Sequence, residues 1–187
     1  MTVFAGTNGA GKSTISNQMK GIVGTIIDPD AIAKLLNPIH PREADLSAGR
    51  EAVKQIRKHI ALKQNFAMET TLSGSFALRH MQIANENGYW IALYYIGLQD
   101  VQMHIDRVAS RVEQGGHWIA EQDIRWRYGH SLNNLKPALK LADQVLLIDN
   151  TFQAEIIGEF EGQSIIYHKS DIPQWARDAF SMFDFKE

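Results

Sequence analysis

The sequence predicts an α/β fold of three layers, with helices on both faces of a mostly parallel sheet of five to six strands and a small helical lid over one edge. Three observations predict it. Short apolar, β-branched runs alternate with segments of helical period along most of the chain, the pattern of parallel strands joined by crossover helices. A glycine-rich segment, Gly6-Thr7-Asn8-Gly9-Ala10-Gly11, separates the first such run from the first helical one. A length of 187 residues, 44% hydrophobic and 21% charged, suits one globular domain and leaves little room for a second core.

The elements follow in order. Residues 2–5 form a short strand, 12–20 a helix and 25–28, with two isoleucines, a buried strand; Pro29 then keeps Asp28 out of the helical region. Ala44, Ala48, Ala52, Ile56 and Ile60 recur every four residues and mark a long helix lying on one sheet face. Residues 66–70 give the next strand. Ala77, Met81 and Ala84 mark a helix closed by Gly88, and 89–98 is a central strand rich in aromatic and β-branched residues. Val101, Ile105, Val108 and Val112 share a helical face that stops at Gly115-Gly116. After an arginine-bearing segment, Ile124, Tyr128, Leu132, Leu135, Leu139 and Ala142 continue in helical steps, with Pro137 as a kink or break. A strand over 145–149, a hairpin from 155–160 and 164–168, and a short helix over 175–182 complete the chain. The reading is a single domain over 1–187, with a lid-like segment at about 107–130 and a C-terminal hairpin and helix over about 152–187.

Composition excludes several classes of function. A formal net charge of -2 gives no field for polyanions, so no nucleic-acid partner is expected. The absence of Cys removes disulfides, zinc–thiolate sites and a thiol nucleophile together. No stretch approaches the roughly 18 apolar residues of a membrane helix, and the first residues lack the basic start and apolar run of a signal peptide. The expectation is a cytoplasmic protein with no membrane partner.

Gly6-Thr7-Asn8-Gly9-Ala10-Gly11-Lys12-Ser13, followed by Thr14, matches the phosphate-binding loop of P-loop NTPases. The glycines let successive N–H groups converge on one concavity, and the helix starting near Lys12 adds its positive end. The Lys12 ammonium suits the β- and γ-phosphates, and the Ser13 hydroxyl suits Mg²⁺, a hard ion that prefers oxygen. ATP and Mg²⁺ are therefore the expected cofactors. The Asn-Lys-x-Asp guanine motif of GTPases is absent, and Leu72-Ser73-Gly74-Ser75 is a poor signature for a transport ATPase in a chain this short.

Acceptor chemistry belongs at the carboxyl edge of the strands, where open α/β sheets carry their sites. Asp28-Pro29-Asp30 ends the second strand there, and Asp30 is the candidate to take the proton of an acceptor hydroxyl. The competing role for Asp30 is to cap a helix starting at Ala31, which leaves Asp28 as the alternative base. Glu69 and Thr70 end the third strand at the same edge, where Glu69 either holds substrate hydroxyls or is a solvated strand-end acid. Arg107, Arg111, Arg125 and Arg127 flank Gly115-Gly116-His117 in the lid-like segment and are candidates to neutralise phosphate charge, Arg111 foremost. Arg107 and Arg111 lie one turn apart and face either one anion or Asp106 and Glu113. His117 is a substrate contact or a loop hydrogen-bonder. Asp149 ends its strand as a magnesium-associated aspartate does, but its place last in the order points to the nucleotide base or the sheet end, with Asn150 and Thr151 facing adenine. His104, His130 and the tryptophans read as packing and surface.

Residues 6–14, Asp28-Pro29-Asp30, Glu69-Thr70-Thr71, Arg111-Val112-Glu113-Gln114-Gly115-Gly116-His117, Arg127-Tyr128 with Ser131-Leu132-Asn133-Asn134-Leu135, and Asp149-Asn150-Thr151 together resemble the zeta-toxin family, over residues 1 to about 151. Members are P-loop kinases of toxin–antitoxin systems, best known for phosphorylating the 3′-hydroxyl of UDP-N-acetylglucosamine with ATP. The resemblance implies that Lys12 and Ser13 hold ATP and Mg²⁺, that Asp30 is the base, that Glu69 contacts the sugar and that Arg111 stabilises the transferring phosphoryl group. It also implies a small antitoxin partner. The chain is shorter than those toxins and has Gly116-His117 where their second lid arginine stands, so Arg125 and Arg127 become candidates for that role. A nucleotide-dependent switch and a kinase for another small-molecule or polynucleotide hydroxyl are the alternative readings.

Overall fold

The computed structural model describes residues 1–116, 118–162 and 164–181. They form one seven-stranded sheet in the order β2-β3-β1-β4-β5-β6-β7. The strands are β1 (Thr2–Ala5), β2 (Thr25–Ile27), β3 (Phe66–Thr70), β4 (Ala92–Gly97), β5 (Gln144–Asp149), β6 (Glu155–Glu161) and β7 (Ser164–His168). The first five are mutually parallel, and β6 and β7 are antiparallel additions beyond β5. The expected count of five to six is thus too low. The hairpin at 155–168 does not pack apart from the sheet but extends it, because β5 offers an unpaired edge that β6 completes.

The helices are α1 (Lys12–Gln18), α2 (Lys20–Val23), α3 (Pro29–Leu36), α4 (Asp45–Ala61), α5 (Ser75–Glu86), α6 (Val101–Glu113), α7 (Glu121–Leu141) and α8 (Gln174–Phe180). Strand alternation divides the core in two. Val3, Ala5, Met68, Leu93, Tyr95 and Leu147 face one side, where Ile56 and Ile60 of α4, Met81 of α5, Leu135 and Leu139 of α7 and Trp175 of α8 close over them. Phe4, Ala67 and Ile96 face the other side, against Ile15 of α1 and Val23 of α2. The four-residue repeat in α4 is borne out, with Ala48, Ala52, Ile56 and Ile60 all buried. Ala44 instead falls in the 3₁₀ turn Pro41–Ala44 that leads into it.

Other boundaries move for local reasons. The first helix ends at Gln18, and Met19 separates it from α2. The central strand starts at Ala92 rather than Tyr89, since the Tyr89 N–H closes the end of α5 on the Ala84 carbonyl at 3.1 Å instead of joining the sheet. α7 runs through Pro137 as one helix. Val108, Ile119 and Ile124, with Ile105, form a small separate core that fixes α6 against α7. The expected C-terminal helix is present as α8, and its predicted end, Met182, lies outside the described residues.

Candidate active site

The parallel strands end together at one edge. Ala5 is in register with Thr70 on one side and Tyr95 on the other, and Gly97 pairs with Asp149. The chain leaves β1 into the glycine loop, which is tied back to the sheet by the Gly6 N–H donating to the Thr70 carbonyl at 3.2 Å. Gly6 has φ +142°, and a Cβ there would collide with the Ile96 carbonyl. Gly11 has φ +97°, and a Cβ there would collide with Nδ2 of Asn150. Neither position tolerates a side chain, which is why the loop can lie flat between β1, β4 and the turn after β5. α1 starts at Lys12 with no acidic residue in its first turn, so its N-terminal amides meet no side-chain anion there.

The loop is braced from behind by α6 and α7. His104 is buried, and its Nδ1 lies 2.8 Å from the Asn8 carbonyl. Burial pushes the ring's pKa down to about 4, so near neutrality it is uncharged and donates the Nδ1 proton to that carbonyl. Arg127 Nη1 donates to Oδ1 of Asn8 at 3.0 Å. Asn150 Nδ2 donates to the Ala10 carbonyl at 2.8 Å. Lys12 reaches back across the loop, its Nζ 3.4 Å from the Thr7 carbonyl. Burial draws the Lys12 pKa below its ordinary value and Arg111 adds to that pull, while Glu69, Asp30 and Asp28 oppose it.

These groups share a cleft of about 610 Å³ whose lining includes Gly9, Gly11, Lys12, Ser13, Asp28, Asp30, Glu69, Arg107, Arg111 and Arg127. Asp28 and Asp30 enter it from the start of α3. Pro29 occupies the first helical position, where its missing N–H costs nothing, and Asp28 is the cap: its Oδ1 accepts the Asp30 N–H at 2.9 Å. This corrects the competing role given to Asp30, since the helix starts at Pro29 and not at Ala31. Asp30 is left with an exposed carboxylate in the cleft. Burial is the main cause that pushes Asp28 up to about 6, with Glu69 and Asp30 adding to it and the Asp30 N–H and Lys12 opposing.

Glu69 is not a solvated strand-end acid. It is 6% exposed and accepts from Ser13 Oγ at 2.8 Å and from the buried Ser16 hydroxyl. Both carboxylate oxygens are thus turned toward α1 and the phosphate loop. Thr70 lines the cleft beside it, and its Oγ1 accepts the Leu72 N–H at 3.0 Å. Leu72 takes φ +57°, and its carbonyl accepts from Asn134 Nδ2 at 2.9 Å. This bend leaves Thr71 and Ser73 on the cleft wall, their hydroxyls 2.8 Å apart.

The arginines divide. Arg111 and Arg127 line the cleft. Arg107 lines it too, while its Nη2 donates to the Asn150 and Thr151 carbonyls at 2.7 and 2.9 Å. Arg125 does not reach the cleft: it pairs with Glu121 one turn back at 2.7 Å and donates to Gln102. That pairing corrects its candidacy as a lid arginine, because the helical spacing of two residues turns Arg125 and Arg127 to different faces of α7. Asp149 accepts from the N–H and hydroxyl of Thr151, a local turn rather than a cleft contact. His117 lies outside the described residues. Lys34, Trp126 and Phe76 also line the cleft and had no motif to mark them; Lys34, one helical turn after Asp30, was the most readable.

The cleft combines the glycine loop, three carboxylates and five cations, with hydroxyls on its wall. Among the described residues no helix is long and apolar enough to cross a membrane.

Comparison with known proteins bears on this arrangement at two depths. No family model matches the chain. At the level of the fold, a chain from the PezAT chromosomal toxin–antitoxin system of Streptococcus pneumoniae superposes with a TM-score of 0.66 at 19% identity, covering 100% of this chain and 79% of that one. The AvrRxo1-ORF1:-ORF2 complex solved with ATP contains a chain that superposes with a TM-score of 0.68 at 13% identity; the match covers 97% of this chain, which spans 63% of that one. The mostly parallel sheet and flanking helices are shared with these proteins, and with this chain's glycine loop they are consistent with a P-loop NTPase-like architecture. At the level of sequence, an uncharacterized protein of Haemophilus influenzae is 44% identical over 127 residues, 67% of this chain and 89% of that protein. By that identity the chain belongs to the same family as the Haemophilus influenzae protein.

Proposed function

We propose that the protein is an ATP-dependent kinase that transfers the γ-phosphoryl group to a hydroxyl of a small molecule. The observation that carries this reading is the convergence of the glycine loop with Asp28 and Asp30 on one cleft, with Lys12 between them. A switch ATPase would aim such a carboxylate at a water rather than at an acceptor hydroxyl, so acceptor-dependent turnover separates the two readings.

In this reading the loop amides and the α1 N-terminus bind the phosphate chain, and Lys12 neutralises its outer charge. Phosphate in the loop adds negative charge beside Lys12, which works against the burial that lowers its pKa. Asp30 accepts the hydroxyl proton and aims the acceptor oxygen in line with the phosphoryl group. Asp28, committed to the α3 cap, fixes the turn that presents Asp30. Arg111 stabilises charge on the transferring group from the open side, and Arg127, held on Asn8, adds positive charge to the same cleft. The Ser13 hydroxyl with the Glu69 carboxylate behind it is an oxygen donor set that fits Mg²⁺, which when bound neutralises charge on the phosphate oxygens.

The acceptor class rests on the zeta-toxin resemblance, and the shared fold with a toxin–antitoxin chain supports it. That class is a nucleotide sugar such as UDP-N-acetylglucosamine, with Thr70 at the acceptor side; Glu69, which the resemblance gives to the sugar, is instead turned to Ser13 and Ser16. The same likeness supports a small antitoxin as a protein partner.

Two variants test the reading. Asp30→Asn is expected to bind ATP as the wild type does in calorimetry while acceptor-dependent ADP release falls by a factor on the order of 100 or more. Lys12→Ala is expected to lose binding and turnover together. ATP consumption by the wild type that is equal with and without every acceptor would instead favour a switch.

A further inference from the structure

In-line transfer requires donor and acceptor to approach the phosphoryl group from opposite sides. Asp28 and Asp30 follow β2 and Glu69 lies near the end of β3, and these two strands lie together on one side of β1. The nucleoside of the donor is therefore left the other side of the glycine loop, over the ends of β4 and β5.

What stands there is the turn after β5, and it is tied down. Asp149 Oδ1 accepts from the Thr151 N–H at 3.2 Å and from its hydroxyl at 2.6 Å, and Thr151 Oγ1 accepts the Gln99 N–H at 2.8 Å. Arg107 holds the carbonyls of Asn150 and Thr151, and Asn150 in turn donates to Ala10 within the glycine loop. The next residue is Phe152. It is 91% exposed, the highest value among the exposed large apolar side chains of the described residues. Phenylalanine is ordinarily buried, and its exposure here does not follow from a slack backbone, because the residues before it are fixed by these bonds. A rigid support that connects to the phosphate loop on one side and ends in an uncovered ring on the other has the form of a stacking platform.

We propose that Phe152 stacks on the base of the bound nucleoside triphosphate and recognises it by its face rather than its edge. The proposal rests on the kinase reading for the identity of the ligand. Face recognition follows from the neighbours: the Thr151 hydroxyl and the Asn150 amide nitrogen, which the sequence suggests for contacts to adenine, are both engaged within the protein. Every purine offers a similar π surface, so adenine and guanine are accepted alike.

Calorimetric titration of the full chain with ATP, GTP and inorganic tripolyphosphate tests this. The wild type is expected to bind ATP and GTP within about threefold of each other and roughly tenfold more tightly than tripolyphosphate. Phe152→Ala is expected to lose about tenfold for both nucleotides while tripolyphosphate affinity holds, and Phe152→Trp to restore the nucleotides. Unchanged nucleotide affinities in Phe152→Ala would overturn the proposal and assign the ring to another use, such as docking a protein. A parallel loss of tripolyphosphate would also overturn it, as damage to the loop. Discrimination between ATP and GTP beyond about tenfold would overturn recognition by the face. A wild type that binds tripolyphosphate as tightly as ATP sinks the platform and spares the kinase reading; one that binds neither sinks both.

Discussion

Asp28 serves two demands that pull against each other. Its carboxylate must accept the Asp30 N–H to start α3, yet it is buried beside Glu69 and Asp30, and the balance pushes it up to about 6 from 3.8. Between those two values the native state holds more protons than the unfolded chain, so stability falls as pH rises through that window and stays reduced above it. Asn caps a helix as well as Asp does and carries no charge. Asp28→Asn is therefore expected to stabilise the protein by about 1–3 kcal/mol at pH 7, with the gain disappearing near pH 4. Urea unfolding at both pH values checks it, and an equal effect at both would refute the assignment. At this scale the sequence was uneven in what it disclosed. The phosphate loop was legible because its chemistry needs fixed residue types at fixed spacing, and the structure forms it around Gly6 and Gly11 as that spacing implies. The cap was misplaced because two aspartates flank Pro29; a proline favoured at the first helical position marks the residue before it as the cap. That Glu69 turns to Ser13 and Ser16 depends on how β3 sits against α1, which no local pattern encodes.

At the scale of elements, periodicity located the strands and helices well and their neighbours poorly. The helical repeat of α4 and the hairpin of β6 and β7 were readable because each is set by local sequence. That β6 would extend the sheet, and that α7 would bring Arg127 onto the loop, depends on long-range packing, whereas the pairing of Arg125 with Glu121 is a local contact four residues apart on α7. One such packing decision is exposed at Gly97, the last residue of β4. A Cβ there would lie 2.5 to 2.8 Å from three ring atoms of Trp175, so α8 seats its largest side chain where β4 has none. Gly97→Ala is expected to cost about 1–3 kcal/mol by overpacking, because neither the central strand nor the buried ring has room to shift. Thermal unfolding of the variant measures it. A melting temperature equal to that of the wild type would mean that α8 is not held against β4 in this way.

For the molecule as a whole, the strand order does the organising. Placing β1 between β3 and β4 puts the phosphate loop at the middle of the active edge, with Asp28, Asp30 and Glu69 to one side and Arg107, Asn150 and Phe152 to the other. In the proposed reaction donor and acceptor meet at this loop, which the buried His104 and the half-buried Asn150 brace. The order itself was not legible in the sequence, which gives strands but not their arrangement, although the motif at the end of β1 implied a sheet of this kind. On the proposed reading the acceptor also meets the wall formed by Thr71, Ser73, Phe76 and Trp126, residues of general type that no motif distinguishes. The proposed reaction is the transfer of a phosphoryl group, within this cleft, onto a small-molecule hydroxyl. Mass spectrometry of nucleotide sugars and a wider metabolite pool, incubated with the protein and Mg-ATP labelled in its terminal phosphate, tests it most directly. One acceptor is expected to gain the labelled phosphoryl group in step with ADP, and Asp30→Asn to abolish the transfer. Label recovered entirely as inorganic phosphate, at the same rate in both proteins, would contradict it.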